Sequence, residues 1–305
     1  MADRLVQDTT VLIIGAGPAG LAAALTLARA LQPTVMVDAP ASPRNVGSPA
    51  IGAVLGHDGI PPDKLRARGM RDIERYGTTA FESGTVTAIE GAAPESVTAV
   101  LEDGRRIAAR AILLACGMVD LMPQIAGLSA FWGRSIINCP FCHGTEFAGR
   151  PWGVLCDRPE MLEAAEIYAE WTRDLVFFLP PGAPLPAERE ATLTANGFAI
   201  ERRPIRRFVG RDGALSAVEV EGGVVPREAM VVWPRQRQTH LVASLALDLA
   251  DGGCVAVDAG FRTSRPGVYA AGDLLYQGHQ NIATAMHMGN LAAATMVADL
   301  AKGAV

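Results

Sequence analysis

Short, unbroken apolar runs punctuated by glycine dominate the hydrophobic pattern of this chain. Residues 10–14 form a run too continuous for a half-exposed strand, so they predict a strand buried on both faces. A turn, Gly15-Ala16-Gly17-Pro18-Ala19-Gly20, follows at once, then an Ala/Leu-rich helix over 21–31 and a short strand over 34–38 ending in Asp38. Together they make a complete β-α-β unit in about thirty residues.

Pro- and Gly-rich loops run to about residue 62, a helix is predicted over 63–75, and alternating segments at 85–89 and 97–101, with a turn at Asp103-Gly104, read as a meander. The apolar run 111–117 is a buried strand ending in a small-residue turn, where the chain leaves its first domain. Residues 150–237 read as a second αβ unit, with strands at 152–156 and 175–179, a helix over 160–173 and a Pro-rich stretch at 180–186. Between 255 and 305 a strand, the segment 267–273 and a long Ala/Met-rich helix return to the first pattern. The chain is thus an α/β protein whose first domain is discontinuous, 1–117 and 241–305, with 118–240 inserted. No internal repeat is strong enough to use.

With 305 residues, half of them hydrophobic, the chain can bury a large core. A net charge of −5 without any Lys/Arg run argues against nucleic acid or an anionic membrane as partner and leaves small molecules. Residues 1–10 carry no apolar signal core, so cytoplasmic residence is expected. Five cysteines in a long chain do not make a disulfide scaffold, and a close pair suggests metal or redox use instead. That pair is Cys139-Pro140-Phe141-Cys142, followed by His143 and Gly144. With no second pair and no nearby His-x-x-x-His it offers too few ligands for structural zinc, so no metal is expected and the redox reading is preferred.

Gly15, Gly17 and Gly20, with Pro18 and Ala19 between them, sit between a strand and a helix, the context in which a pyrophosphate rests on helix N-terminal amides. Asp38, eighteen residues past Gly20, is placed to bond a ribose hydroxyl; the plainer reading is a solvated strand-end acid. The segment Thr263-Ser264-x-Pro266-Gly267-Val268-Tyr269-Ala270-Ala271-Gly272-Asp273 resembles the terminal FAD motif of the pyridine-nucleotide-disulfide oxidoreductases. Cys116-Gly117 resembles the motif at the exit of the same domain, with Cys116 where threonine is usual, and Gln280 matches a glutamine that helps hold the flavin in thioredoxin reductases. Val86 joins the same set, and FAD is favoured over NAD. The inserted domain, by contrast, reads Gly153-Val154-Leu155-Cys156-Asp157-Arg158-Pro159-Glu160 where a second glycine fingerprint would stand. Asp157 and Glu160 put negative charge at the pyrophosphate position, which disfavours a dinucleotide there. Arg202, Arg203, Arg206 and Arg207 could form a phosphate patch, although an exposed basic face is the simpler account.

The order of motifs, the insertion and the C-x-x-C between the halves resemble the low-molecular-weight thioredoxin reductase fold, with two Rossmann-like three-layer ββα domains. C-P-F-C-H-G and the missing NADPH fingerprint are most similar to the FAD-dependent dithiol oxidases of holomycin- and gliotoxin-type biosynthesis. That resemblance implies FAD as cofactor, a small-molecule dithiol as substrate, O2 as electron acceptor and a homodimer. It implies Cys139 as the sulfur that meets the substrate, Cys142 as the flavin-facing sulfur and His143 as base; the alternative for His143 is a histidine that only packs there. His279 and His287 stand between pocket lining and ordinary helix surface. Three other readings stay open: a disulfide reductase fed by a ferredoxin-type donor, a protein that sequesters a reactive dithiol without turnover and, last, an NADPH-dependent thioredoxin reductase.

Overall fold

A computed structural model describes residues 6–40, 44–93, 95–275 and 278–305, with Val6 and Gln7 by main chain alone. Residues 1–5, on which part of the expectation of no leader rests, lie outside them. The chain divides into two compact units, one made of Met1–Pro43, Asp63–Asp120 and Gln236–Val305, the other of Arg44–Pro62 and Leu121–Arg235. Residues 44–62, which the sequence assigns to the first domain, therefore group with the insertion. Glycine makes this possible: a Cβ on Gly47 would stand 2.7 Å from the Trp132 carbonyl oxygen, and one on Gly52 2.0 Å from that of Cys142.

In the first unit, the strands Thr79–Ser83, Thr34–Asp38, Val6–Ile14 and Arg106–Leu114 lie side by side in parallel. The last of these is nine residues long and, on its other edge, serves two further neighbours. Its beginning pairs antiparallel with Val97–Leu101, which pairs in turn with Val86–Gly91; its end, Ile112 to Leu114, pairs parallel with Val268–Ala270. Alternate residues then face opposite layers, as the period of a strand requires. Val11, Ile13, Met36 and Leu113 pack with the helices Pro18–Arg29 and Ile282–Lys302, whereas Leu12, Ile14, Val35 and Leu114 pack with the antiparallel meander. Those two helices meet closely because a Cβ on Gly289 would lie 2.0 Å from the Ala19 carbonyl oxygen.

The second unit repeats the plan with different residues. Its parallel sheet runs in the order Ala199–Glu201, Leu175–Phe178, Trp152–Leu155, Ala229–Val231, Ile136–Ile137. A three-stranded antiparallel sheet, Ile205–Arg211, Ala214–Val220 and Gly223–Pro226, belongs to the same unit, with apolar cores on both faces of the parallel sheet. The helix predicted over 160–173 is broken into Glu160–Glu163 and Ala165–Tyr168, with Ala164 at φ −82° and ψ 7°. Arg189 explains the break, since its guanidinium donates to the Leu162 carbonyl oxygen and, at 2.8 and 2.9 Å, to the Glu166 carboxylate. No described helix is long and apolar enough to cross a membrane.

Candidate active site

Each unit carries one place equipped for chemistry. In the second, the Ile136–Ile137 strand leads through Asn138 to Cys139, which caps the single helical turn Pro140–His143 in an extended conformation. Pro140 stands at the first helical position, where its fixed φ suits the helix and its missing N–H costs nothing. The N–H groups of Cys142 and His143 both donate to the Cys139 carbonyl at 3.2 Å. The two cysteine Cα atoms are thereby 5.3 Å apart, and Cys139 and Cys142 are joined as a disulfide. Gly144 follows because a Cβ there would stand 2.7 Å from the Trp171 Nε1. Trp171 meets Phe141 edge-on, centroids 5.2 Å apart, and stacks on Trp152 at 6.2 Å. Phe141 is 54% exposed, an apolar side chain held beside the disulfide on an aromatic support.

His143 is half-buried, its Nε2 2.8 Å from the hydroxyl oxygen of Ser48, and its Nδ1 is enclosed without a hydrogen-bond partner among the described residues. Ser48, 95 residues earlier, was missed by sequence reasoning. Nothing in an isolated loop serine signals such a contact; the only hint was the glycine spacing around it, Gly47 and Gly52.

In the first unit the glycine turn separates into distinct roles. Gly15 takes φ +107° and its Cβ would lie 2.5 Å from the Ala115 carbonyl oxygen, while a Cβ on Gly20 would overlap the Gly15 carbonyl oxygen at 2.0 Å. Both are required by the protein itself. Gly17 is not: its φ is −74° and the nearest atom to a Cβ is 4.0 Å away, so the space it leaves faces no protein atom. The helix that starts at Pro18 has no side-chain cap and no acid in its first turn, which leaves its first amides to an anion. Asp38 accepts the Ala16 N–H at 2.8 Å and pairs with Arg66. Beside it opens a cavity of about 400 Å3, lined among others by Met36, Asp38, Arg66, Phe81 and Ser83. The size suits a nucleoside, and the turn fits a pyrophosphate, so these residues suit a dinucleotide. Arg66, Phe81 and Ser83 went unnoticed in the sequence, because they come from elements outside the β-α-β unit.

The remaining candidates of this unit fall in several settings. Gly117 takes φ +64° with open space around a would-be Cβ, and Gly272 takes φ +84° against the Ala19 Cβ. Gln280 exchanges amide hydrogen bonds with Gln236, both at 2.9 Å, and donates to the Asp273 carbonyl at 3.3 Å, so Gln280 is held by a glutamine the sequence did not flag. Burial pushes the Cys116 thiol pKa up, against a hydrogen bond with Thr239, so it stays a protonated, unreactive thiol. Val86 is buried in the core under the meander, which leaves only its main chain to meet a ligand. His279 and His287 are both exposed.

The second unit has no matching nucleotide turn. Gly153 is a packing glycine: a Cβ there would be 2.1 Å from the Met230 Sδ and 2.7 Å from the Phe178 ring. The helix after this strand is four residues long, and Asp157 occupies the turn, facing Arg158 and Arg235. The candidate phosphate patch is neutralised, since Arg202, Arg203, Arg206 and Arg207 pair with Glu190, Glu201, Glu221 and Glu219. Among the described residues no cluster of three metal-ligating side chains occurs.

A doubled Rossmann-type fold with a helix-capping disulfide in its second unit defines a disulfide oxidoreductase architecture. Residues 9–154 match the pyridine nucleotide-disulphide oxidoreductase family. Thioredoxin reductase aclD of Aspergillus oryzae is 31% identical, the alignment covering 95% of this chain and 96% of that protein; thioredoxin reductase tcpT of Claviceps purpurea is 30% identical over 95% and 94%. The crystal structure of HlmI superposes with a TM-score of 0.91 at 31% identity over 99% of this chain and 96% of that one. A putative thioredoxin reductase, TrxB, from Bacillus anthracis gives 0.90 at 27% identity over 96% and 99%. The chain belongs to the thioredoxin reductase family and has its fold.

Proposed function

We propose that the protein is an FAD-dependent dithiol oxidase that closes an intramolecular disulfide in a small dithiol. One observation carries the reading: in the unit that holds the disulfide, the turn after the Trp152–Leu155 strand has no glycine, carries Asp157 and opens a helix of only four residues, while Gly153 is packed within the strand, so this turn is unsuited to a nicotinamide dinucleotide. A disulfide with no nicotinamide feeding it is better suited to take electrons from thiols than to supply them to a protein.

The FAD pyrophosphate would rest on Gly17 and the first amides of the Pro18–Arg29 helix, with its adenosine beside Asp38 and its flavin end toward Gly272, Asp273 and Gln280. Bound there, it supplies a two-electron carrier between the thiol pair and O2. The chain's own residues do the thiol chemistry. A substrate thiol gives its proton to His143, and the thiolate attacks Cys139. The Cys139–Cys142 bond breaks, and Cys142 leaves as a thiolate. The second substrate thiol then attacks the substrate sulfur of the mixed disulfide, releasing cyclised product and reduced Cys139. Substrate loses two electrons and two protons, and O2 gains them as H2O2. Phe141 provides apolar contact at the mouth of this exchange.

Anaerobic addition of a small dithiol to the purified yellow protein should bleach the flavin, and air should restore it with one H2O2 per dithiol over many turnovers. Peroxide limited to a single equivalent would instead favour sequestration, and bleaching without reoxidation by air a protein electron partner.

A further inference from the structure

The cavity beside Asp38 is built by elements whose periods agree. Met36 and Asp38 lie on one face of their strand and pair with Phe81 and Ser83 of the next, so all four present the same side to the cavity. The helix Pro62–Glu74 supplies another wall through one of its faces: Ile73 is buried in the core, while Arg66 and Met70, one and two turns before it, line the cavity. Ala16 of the glycine turn lines it too and gives its N–H to Asp38, so a molecule seated here continues into the turn that fits a pyrophosphate. Arg66 is the one cation among the described lining residues, and it donates from Nη2 to Asp38 Oδ2 at 2.5 Å. The other carboxylate of the lining, Glu82, is held by Arg105 at 2.8 Å.

We propose that Arg66 completes a ribose site: Asp38 and Arg66 together take the two hydroxyls of the adenosine ribose, Asp38 accepting their protons and Arg66 donating to their oxygens. The proposal rests on the reading of FAD as cofactor and adds the partner that the acid needs. A carboxylate can only accept, whereas each hydroxyl also has lone pairs to satisfy once it leaves water. Asp38 keeps acceptor capacity on each oxygen after Ala16 and Arg66 are served, and Arg66 keeps N–H groups beyond the one it gives to Asp38. The guanidinium holds those donors in a fixed fork, which a lysine cannot copy. Charge points the same way. Both carboxylates of the wall are already paired, so the lining matches an uncharged diol, and a phosphate on the ribose would meet the Asp38 carboxylate with the nearest cation already committed.

ADP carries the ribose and the pyrophosphate without the flavin, so its binding to the flavin-stripped full-length protein, followed by calorimetry, reads the site directly. Wild type should bind ADP in a form that FAD displaces. Arg66→Gln should weaken ADP by roughly ten- to hundredfold, the scale of a hydrogen bond from a charged donor, and Arg66→Lys should regain part of that loss. Dideoxy-ADP, which lacks both ribose hydroxyls, should bind wild type and Arg66→Gln alike, because the group that Arg66 serves is missing; the same arm shows that the site of the variant is intact. AMP carrying a second phosphate on its 2'-oxygen should bind more weakly than AMP itself. Equal losses of ADP and dideoxy-ADP in Arg66→Gln would make the residue a structural partner of Asp38 alone. That result, ADP binding untouched by the substitution, or tighter binding of the 2'-phosphate would each overturn the proposal. If wild type binds no ADP that FAD displaces, the dinucleotide reading itself falls and the proposal with it.

Discussion

Gly15, Gly17 and Gly20 are equivalent in the sequence fingerprint, but the structure asks different things of them. Alanine at Gly15 must adopt φ +107° and overlap the Ala115 carbonyl, and alanine at Gly20 overlaps the Gly15 carbonyl. Strain of this kind costs about 1–3 kcal/mol per site, so both substitutions should lower the melting temperature of the flavin-free protein. Alanine at Gly17 meets no atom closer than the Ala115 carbonyl oxygen at 4.0 Å and keeps an ordinary φ. Gly17→Ala should leave the flavin-free protein as stable as wild type while the purified protein retains less flavin. Equal flavin content in wild type and Gly17→Ala would show that the open space is not used by the pyrophosphate. The fingerprint was legible because backbone geometry demands glycine at fixed spacing. Ser48 was not, because the contact that defines it depends on where a loop returns in three dimensions.

At the scale of elements, the final helix is tied to the last strand of the parallel sheet through one buried carboxylate. Asp299 accepts from Arg262 Nε and Nη2, both at 2.7 Å, and from the Tyr269 hydroxyl at 2.6 Å. The Arg262 hydrogen bond holds the Asp299 pKa below the ordinary carboxylate value, against the opposing effect of burial, and the Tyr269 bond lowers it further. Because the folded pKa is depressed, the stabilisation is complete above the unfolded value, near pH 4, and is lost as pH falls through the folded value. Asp299→Asn should flatten this acid limb in urea melts taken below about pH 4. Asp299→Ala should cost about 2–3 kcal/mol at neutral pH, less than a fully buried pair, because Arg262 is 43% exposed and keeps Asp258. A loss below roughly 0.5 kcal/mol, the level of ordinary surface substitutions, would mean that the tie contributes little. Elements of this kind were unevenly legible. The β-α-β unit and the final helix follow from apolar runs and caps, whereas the break after Glu163 follows from Arg189, a side chain whose reach no periodicity encodes.

Across the whole molecule, each of the two units is built on a five-stranded parallel arrangement, while their sequences show no usable repeat. What keeps a sheet folded is the burial of alternating apolar side chains, which many sequences satisfy, whereas binding a pyrophosphate needs glycine, free helix amides and absent acid at particular positions. The first unit keeps those positions. In the second, Met230 and Phe178 fill the space at Gly153, Asp157 holds the turn, and the following helix is four residues long, too short for a dipole to favour phosphate. The protein should therefore bind one dinucleotide per chain. Anaerobic NADPH should leave the flavin spectrum unchanged at concentrations where a small dithiol bleaches it, and calorimetry of flavin-loaded protein with NADPH should show no saturable heat. Restoring one glycine should not rescue NADPH reduction, since Asp157 and the four-residue helix would still define the turn. Flavin bleaching by NADPH alone would require a nucleotide site elsewhere and would return the protein to the reductases.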